Sequence, residues 1–152
     1  MPRPDMNQTR LIEENVLGED ARFHHIGLVV KSIEHAAPAG VAIYEDPLQD
    51  VRVAFVDLHG ITIEYIEPSS ENSPVANSLK KKQKLVHMCF CVADLENTIE
   101  QARQNGFGLV AAPVPAVAFG GREIAWISSR VYGLVELLSE TPPTPEADAE
   151  SE

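Results

Sequence analysis

The sequence predicts an α+β fold assembled from two copies of one βαβββ module, and two observations support this prediction. Residues 23–30 and 85–92 are both short apolar runs that carry a histidine near the start and lead to a polar helix-start residue. Each copy then ends in two β-rich runs joined by a turn with glycine, and the last run holds one glutamate among apolar neighbours. The chain therefore contains one domain over residues 22–140, with modules at 22–68 and 85–139.

The first module begins with the strand that carries His25, and Ser32 then starts a helix. Pro38 halts this helix after about one turn, because proline has no amide donor and clashes with the preceding turn. Two β-rich runs follow, and the second of them carries Glu64. The first module is about ten residues shorter than the second, and the shortened helix accounts for the difference.

A short linker helix is predicted over residues 73–82, with Ser73 as its cap and a proline in its first turn. The second module then has a full helix, with Asp94 as N-cap and Ile99 on its apolar face. Gly106 ends that helix, since glycine readily adopts the left-handed conformation that terminates helices.

The two ends of the chain have little to bury. Residues 1–21 are predicted to form an N-terminal arm, with one short helical turn around residues 11–16 and no assigned function. Residues 141–152 hold three prolines and four acids, which predicts a disordered acidic tail, because such a segment cannot offset the entropy of ordering.

Composition restricts the partners and the location. The net charge is -11, with 23 acidic against 12 basic residues, which argues against nucleic acid or an anionic membrane surface as a partner. No apolar run approaches the roughly 20 residues of a membrane span, and residues 1–10 are polar, so we expect a cytoplasmic protein. Cys89 and Cys91 lie two apart in one strand and are expected to be reduced thiols.

Two histidines and two glutamates in repeat-matched positions predict a metal site. A carboxylate in an apolar strand is costly to bury unless it is paired or binds metal, and both Glu64 and Glu136 are of this kind. His25 and His87 occupy matching places in the two first strands. Mixed nitrogen and oxygen ligands suit a divalent Zn, Ni, Co, Mn or Fe ion and leave coordination positions open.

Each of these residues also has an ordinary interpretation, since a strand histidine or glutamate often merely faces the core or water. His24 is expected on the opposite strand face from His25, because successive side chains alternate. Cys89 and Cys91 share a strand face with His87, so a thiolate ligand is conceivable, but small buried hydrophobes are the favoured interpretation.

Other polar features are interpreted as structural or surface features. His59, beside a glycine, is expected in a turn, and His35 in the shortened helix. The lysine-rich run at residues 80–84 is either a solvated face or a site for a phosphate-bearing substrate. The two glycines at 120–121 predict a hairpin turn rather than a phosphate loop.

Four stretches that contain these residues resemble the vicinal oxygen chelate superfamily of glyoxalases, bleomycin resistance proteins and extradiol dioxygenases. Residues 24–27, His-His-Ile-Gly, resemble the family's first strand, and residues 63–68 resemble the strand that ends in Glu-Pro. The stretch 71–76, with Ser-Pro-Val-Ala, resembles the helix before the second ligand histidine in the methylmalonyl-CoA epimerases of this superfamily. Residues 133–137 match the strand with the last ligand, and the resemblance covers residues 22–139.

The resemblance implies a mixed, curved eight-stranded sheet around a metal ion bound by His25, Glu64, His87 and Glu136. It further implies a homodimeric, metal-dependent epimerase or isomerase that removes a proton next to a thioester or similar carbonyl. Glu136 would be the base and Glu64 the opposed partner, and the substrate would be a small molecule such as an acyl-CoA or another thioester.

Two alternatives stay open on the sequence alone, a lyase similar to glyoxalase I, which uses the same metal ligands, and a non-catalytic small-molecule-binding protein. A ring-cleaving dioxygenase is less favoured, because Glu64 would occupy a coordination position that O₂ chemistry needs. The shortened first helix departs from the family, in which this helix helps to line the substrate cavity. We therefore expect a more open pocket, or one completed by a second subunit.

Overall fold

The computed structural model describes residues 10–143, and these contain eight strands and three α-helices. The two predicted modules appear in chain order with matching elements, joined by a short helix. The elements are β1 Arg22–Val29, α1 Ile33–Ala36, β2 Tyr44–Asp46, β3 Val51–Leu58, β4 Ile61–Pro68, α2 Ala76–Lys80, β5 Leu85–Val92, α3 Leu95–Gln104, β6 Gly108–Pro115, β7 Glu123–Ser129 and β8 Gly133–Ser139.

All eight strands belong to one mixed, curved sheet with the order β2-β3-β4-β1-β5-β8-β7-β6. β1 and β5 pair antiparallel at the centre, while β1 pairs parallel with β4 and β5 pairs parallel with β8. The second half of the sheet therefore repeats the first about a two-fold axis between β1 and β5. This arrangement confirms the predicted fold and the internal repeat.

The two module helices differ in length as the sequence predicts. Asp94 caps α3 by accepting a hydrogen bond from the amide of Asn97, and Gly106 follows the helix in the left-handed conformation at φ 93°. The apolar face of α3 packs on one face of β7 and β8, and the burial of these apolar side chains stabilises the second module. Ser32 caps α1, which ends after a single turn at Ala36.

The linker helix is shorter than predicted. It spans Ala76–Lys80, and Ser73 is not its N-cap, because Val75 occupies the cap position without a side-chain hydrogen bond. The carbonyl of Ser73 instead accepts a bond of 3.0 Å from the amide of Ala76 and closes a turn. Ser73 therefore stabilises the turn before the helix and not the helix itself.

The N-terminal arm packs on the domain. Among residues 10–21 no helix forms, so the predicted helical turn at residues 11–16 is wrong. Leu17 is buried beside residues of α3, β7 and β8, and Glu14 accepts a hydrogen bond of 3.2 Å from Tyr132. Of the predicted acidic tail, residues 144–152 lie outside the described residues. Across residues 10–143, none of the helices has the length and apolarity needed to cross a bilayer.

Candidate metal centre

The four side chains predicted to bind a metal lie on the four central strands and converge within one chain. In each module, the glutamate is in register with the residue two positions after the histidine. Glu64 pairs with Gly27, and Glu136 pairs with Cys89. Residues two apart share a strand face, so each histidine and the glutamate of its module point to the same side of the sheet. The strand register therefore brings the four side chains together.

The ligand atoms lie close enough to share one ion. Nε2 of His25 is 3.2 Å from Oε1 of Glu64 and 3.1 Å from Oε1 of Glu136. Nε2 of His87 is 3.3 Å and 3.2 Å from the same two oxygens, and the two Nε2 atoms are 3.2 Å apart. Donors that each lie about 2.0–2.2 Å from a common ion are roughly 3 Å apart when they are adjacent. These separations fit one divalent ion.

The burial of the cluster supports the same interpretation. All four residues are at most 6% exposed. Oε1 of Glu136 is buried and has no hydrogen-bond partner within residues 10–143, despite its close approach to both imidazoles. An unsatisfied, buried carboxylate oxygen costs several kcal/mol as a rough order of magnitude unless a cation compensates it. The donor set and this oxygen both fit a metal ion at the point where the side chains meet.

The four side chains of this cluster shift one another's pKa values. Burial alone would raise the pKa of Glu136, but the neighbouring imidazoles of His25 and His87 hold it at about 2. Burial alone would lower the pKa of His87, but the two glutamates raise it to about 9. The pKa of His25 is raised for the same reason, against the opposing effect of burial. Without metal, the carboxylate of Glu136 is thus ionised and protons occupy imidazole nitrogens.

Gly27 was not identified from the sequence as part of this site. A Cβ atom at Gly27 would overlap the imidazole ring of His87, so only glycine lets that ring lie against β1. The backbone of Gly27 is not in the left-handed region, and its role is therefore space rather than conformation. Its position two residues after His25, on the same strand face, is the signal that could have revealed it.

The prediction for His24 is wrong. Its ring does not lie on the opposite side from His25, because Nδ1 of His24 is 2.8 Å from Nδ1 of His25. In the antiparallel pairing of β1 with β5, Phe23 is opposite Phe90 and His25 is opposite Cys89. An advance of two residues along β1 therefore corresponds to one residue along β5, and His24 is the extra residue. This irregularity is a β-bulge, which interrupts the alternation of side chains. His24 therefore lies beside the site rather than behind the sheet.

The two cysteines are free, and the favoured interpretation of Cys89 agrees with its surroundings. Cys89 is fully buried in an apolar cluster with Ile124 and Leu138. Burial, followed by the charges of Glu136 and Glu64, raises the pKa of the Cys89 thiol. The thiol therefore stays protonated and fills space beside the ligands.

A cavity of about 650 Å³ opens over the site, and Glu64, His87 and Glu136 line it. Phe119, in a 3₁₀ turn after β6, stacks on His25 with ring centroids 6.0 Å apart. Trp126 contacts His87 edge-on at 4.8 Å. Apolar side chains of both modules form most of the remaining wall.

The shortened helix α1 does not line this cavity, so the expected link between its length and an open pocket is wrong, whereas completion of the pocket by a second subunit stays a prediction. The amide of Ile33 in α1 donates a hydrogen bond of 2.9 Å to Glu67, which lies three positions after Glu64 and hence on the other face of β4. None of residues 33–36 lines the cavity. The helix packs behind the sheet, and its length does not set the shape of the pocket.

The remaining sequence predictions concern turns and the rim. His59 lies in the β3–β4 turn at φ 51°, and the glycines at 120–121 both have positive φ in the β6–β7 connection, as predicted. Ser78 and Gln83 line the cavity, and the four lysines between residues 80 and 84 are exposed around them. The lysine-rich run therefore lies at the rim of the pocket.

Comparison with known proteins agrees with this fold and site. Residues 24–126 match the Glyoxalase/Bleomycin resistance protein/Dioxygenase superfamily. The ethylmalonyl-CoA/methylmalonyl-CoA epimerase of Cereibacter sphaeroides is 27% identical over 128 residues, which cover 76% of this chain and 96% of that protein. Uncharacterized protein YqjC of Bacillus subtilis is 33% identical over 131 residues, which cover 76% of this chain and 90% of that protein.

Among solved structures, the methylmalonyl-CoA epimerase of Mycobacterium tuberculosis superposes with a TM-score of 0.68 at 21% identity. The match covers 89% of this chain and 95% of that one, and at this identity it shows a shared fold. The sequence match extends over more than half of the chain, including the strands with three of the four ligand residues. This chain therefore belongs to the Glyoxalase/Bleomycin resistance protein/Dioxygenase superfamily.

Proposed function

We propose that this chain is a metal-dependent epimerase or isomerase that removes a proton from the carbon next to a thioester carbonyl. The observation that carries the proposal is the convergence of two carboxylates and two imidazoles at one buried point of an apolar cavity. Two carboxylates can serve as base and acid, and the same four side chains can hold a divalent ion.

His25, Glu64, His87 and Glu136 would hold the metal ion. When bound, a divalent ion supplies Lewis-acid stabilisation for the negative charge that develops on a carbonyl oxygen as the adjacent carbon loses its proton. The Nε2 atoms of both histidines face the two glutamates, which is the placement of metal ligands. The two glutamates can combine binding with proton transfer.

Glu136 is proposed as the base. Neighbouring cationic groups favour its ionised form, whether these are the imidazoles, which lower its pKa, or a bound divalent ion, and the ionised carboxylate is the form that accepts a proton from the substrate carbon. Glu64 lies in the other module, related to Glu136 by the two-fold repeat of the sheet. In an epimerisation, Glu136 would take the C–H proton from one side and a protonated Glu64 would deliver one to the opposite side. The configuration at that carbon is thereby inverted.

An acyl-CoA is the proposed substrate class. A cavity of about 650 Å³ with a mainly apolar wall can take the acyl group and the chain that carries the thioester. The exposed lysines at residues 80–84 lie beside Ser78 and Gln83 of the cavity wall, where phosphates of a bound coenzyme would lie next to cations. The epimerase of Cereibacter sphaeroides has a name that specifies acyl-CoA substrates, which favours the same class here. We also propose that the chain acts as a homodimer in the cytoplasm.

Exchange of the α-proton in D₂O tests the proposal directly. Metal-loaded protein incubated with methylmalonyl-CoA should incorporate deuterium at the α-carbon, as followed by mass spectrometry. Glu136→Gln should slow the exchange by about 10²–10⁴-fold, the usual contribution of a positioned base. Metal content is measured in the same samples, because a variant that has lost its metal says nothing about the base.

A panel of substrates distinguishes the alternatives. Exchange with other 2-substituted acyl thioesters but not with methylmalonyl-CoA would keep the reaction class and change the substrate. Turnover of a hemithioacetal instead would favour a lyase similar to glyoxalase I, for which the same four ligands are suitable. No exchange across the panel with fully loaded metal would contradict the enzyme proposal and favour a small-molecule-binding protein.

A further inference from the structure

The residue that precedes each ligand histidine is displaced in the same way in both modules. On β1 the extra residue in the pairing with β5 is His24, as described above. On β5 the pairing moves from His87–Gly27 to Leu85–Leu28, so Val86 is the extra residue there. Val86 lines the cavity. Both bulges therefore bring the residue before the ligand histidine to the side of the sheet that carries the site.

In the first module that residue can form a hydrogen bond with the ligand next to it. Nε2 of His25 is the nitrogen that faces the other three ligands. A neutral imidazole that offers a lone pair at Nε2 carries its proton on Nδ1. Nδ1 of His25 lies 2.8 Å from Nδ1 of His24. When the proton of the His24 ring is on its Nε2, Nδ1 of His24 can accept a hydrogen bond from the Nδ1–H of His25.

We propose that His24 is a positioning residue that fixes the tautomer and the ring orientation of His25 for metal binding. The inference rests on the metal site proposed above. Metal-binding histidines commonly donate their second ring N–H to an acceptor, which holds the ring and increases the basicity of the ligand nitrogen. In this chain the acceptor is an imidazole supplied by the neighbouring residue.

The surroundings of both rings support this role. His25 is fully buried, and within residues 10–143 its Nδ1 has His24 as its hydrogen-bond partner. The ring of His24 is itself held, edge-on, against Phe119 with centroids 5.7 Å apart. His24 is only partly buried, and its Nε2 is not among the buried nitrogen atoms of residues 10–143 that lack a partner. His24 can therefore carry its own proton on Nε2 and offer Nδ1 to His25.

The repeat provides a natural comparison for the experiment. Val86 shows that valine is compatible with the corresponding bulge, so His24→Val should fold while it removes the acceptor. His24→Asn keeps an acceptor oxygen without the ring. His35→Ala is the control for the loss of a histidine, because His35 lies in α1 behind the sheet.

The measurement is the dissociation constant for Zn²⁺, determined by competition with a chromophoric chelator, together with the absorption spectrum of Co²⁺-loaded protein. We expect His24→Val to weaken Zn²⁺ binding about 10–100-fold and to shift the Co²⁺ bands. His24→Asn should recover most of the affinity, and His35→Ala should match the unmodified protein. The stoichiometry should remain one ion per chain in each case.

Several outcomes would overturn the inference. Equal affinity of His24→Val and the unmodified protein would remove any role for the hydrogen bond while leaving the metal site intact. If His24→Asn binds Zn²⁺ as weakly as His24→Val, the His24 ring acts by packing and not by accepting a hydrogen bond from His25. Complete loss of binding in His24→Val alone would make His24 a ligand. Absence of metal binding by the unmodified protein would instead reject the metal site, and this inference with it.

Discussion

Nε2 of His25 and Nε2 of His87 face each other at 3.2 Å, although 62 positions separate the two residues in the chain. The antiparallel pairing of β1 and β5 at the centre of the sheet creates this proximity, because it sets the matching strands of the two modules side by side. Two imidazole nitrogens at this distance repel unless a proton or a cation lies between them. Metal binding should therefore depend on both residues.

His87→Ala should abolish tight binding of a divalent metal, since it removes one of the two nitrogen donors and leaves two buried carboxylates with His25 alone beside them. Zinc content after dialysis, measured by elemental analysis, checks this expectation. His59→Ala, in the exposed β3–β4 turn, is the matched control and should retain its metal. Retention of one ion per chain by His87→Ala would show that the ligand set has been assigned wrongly.

Gly27→Ala should weaken metal binding, because the added Cβ would overlap the His87 ring and force it away from the other ligands. We expect a loss of at least about tenfold in affinity, similar to other changes that disturb ligand orientation. Gly108→Ala adds the same methyl group where a Cβ meets open space and serves as the control. Unchanged metal affinity in Gly27→Ala would mean that the His87 ring can move without cost.

Metal affinity should rise with pH up to about 9 and level off above it. Metal binding needs deprotonated imidazoles, and the pKa of His87 in the metal-free protein is about 9, against an ordinary value of 6.5. Binding at pH 7 should therefore release protons. Isothermal titration calorimetry in buffers of different ionisation enthalpy measures the number released. A binding enthalpy that is independent of the buffer would contradict the raised pKa.

The stability of the protein without bound metal should fall as the pH rises, although its affinity for metal increases. Because the folded-state pKa of His87 is raised, its stabilising contribution is complete below about pH 6.5 and is lost as the pH rises through 9. The lowered pKa of Glu136 adds a contribution that is present above about pH 4.5 and is lost as the pH falls towards 2. Thermal unfolding with chelator present should therefore give its highest Tm between these limits. His87→Gln should flatten the alkaline side of that profile.

Neutralising the lysines at the cavity rim should weaken binding of acyl-CoA. Replacement of Lys80, Lys81, Lys82 and Lys84 by glutamine should raise KM, with a smaller dependence on salt, because the phosphates lose nearby cations. Lys31→Gln removes a positive charge outside the rim and should leave KM unchanged. For a thioester of pantetheine, which has no phosphate, KM should be the same in the four-lysine variant and the unmodified protein. An equal effect on that substrate would assign the lysines to packing instead.

Much of this site could be predicted from the sequence. Glu64 and Glu136 were identifiable because an acid among apolar strand residues is costly to bury, and their matching places in the repeat pointed to a shared function. The N-caps Ser32 and Asp94 mark where α1 and α3 begin, and the stop signals at Pro38 and Gly106 account for their unequal lengths. These features depend on residues that are near one another in the chain, where periodicity and capping act.

The tertiary structure decided the features that depend on how strands pair. The ring of His24 does not lie on the predicted face because a bulge shifts β1 against β5, and a side chain at Gly27 would overlap the His87 ring of the neighbouring strand. The shortened α1 packs behind the sheet, where the amide of Ile33 donates a hydrogen bond to Glu67. This contact forms because Glu67 lies on the face of β4 opposite to Glu64. Leu17 of the arm is buried by contacts with distant elements. Local sequence specifies which side chains can bind a metal, whereas interstrand register decides which neighbours position them.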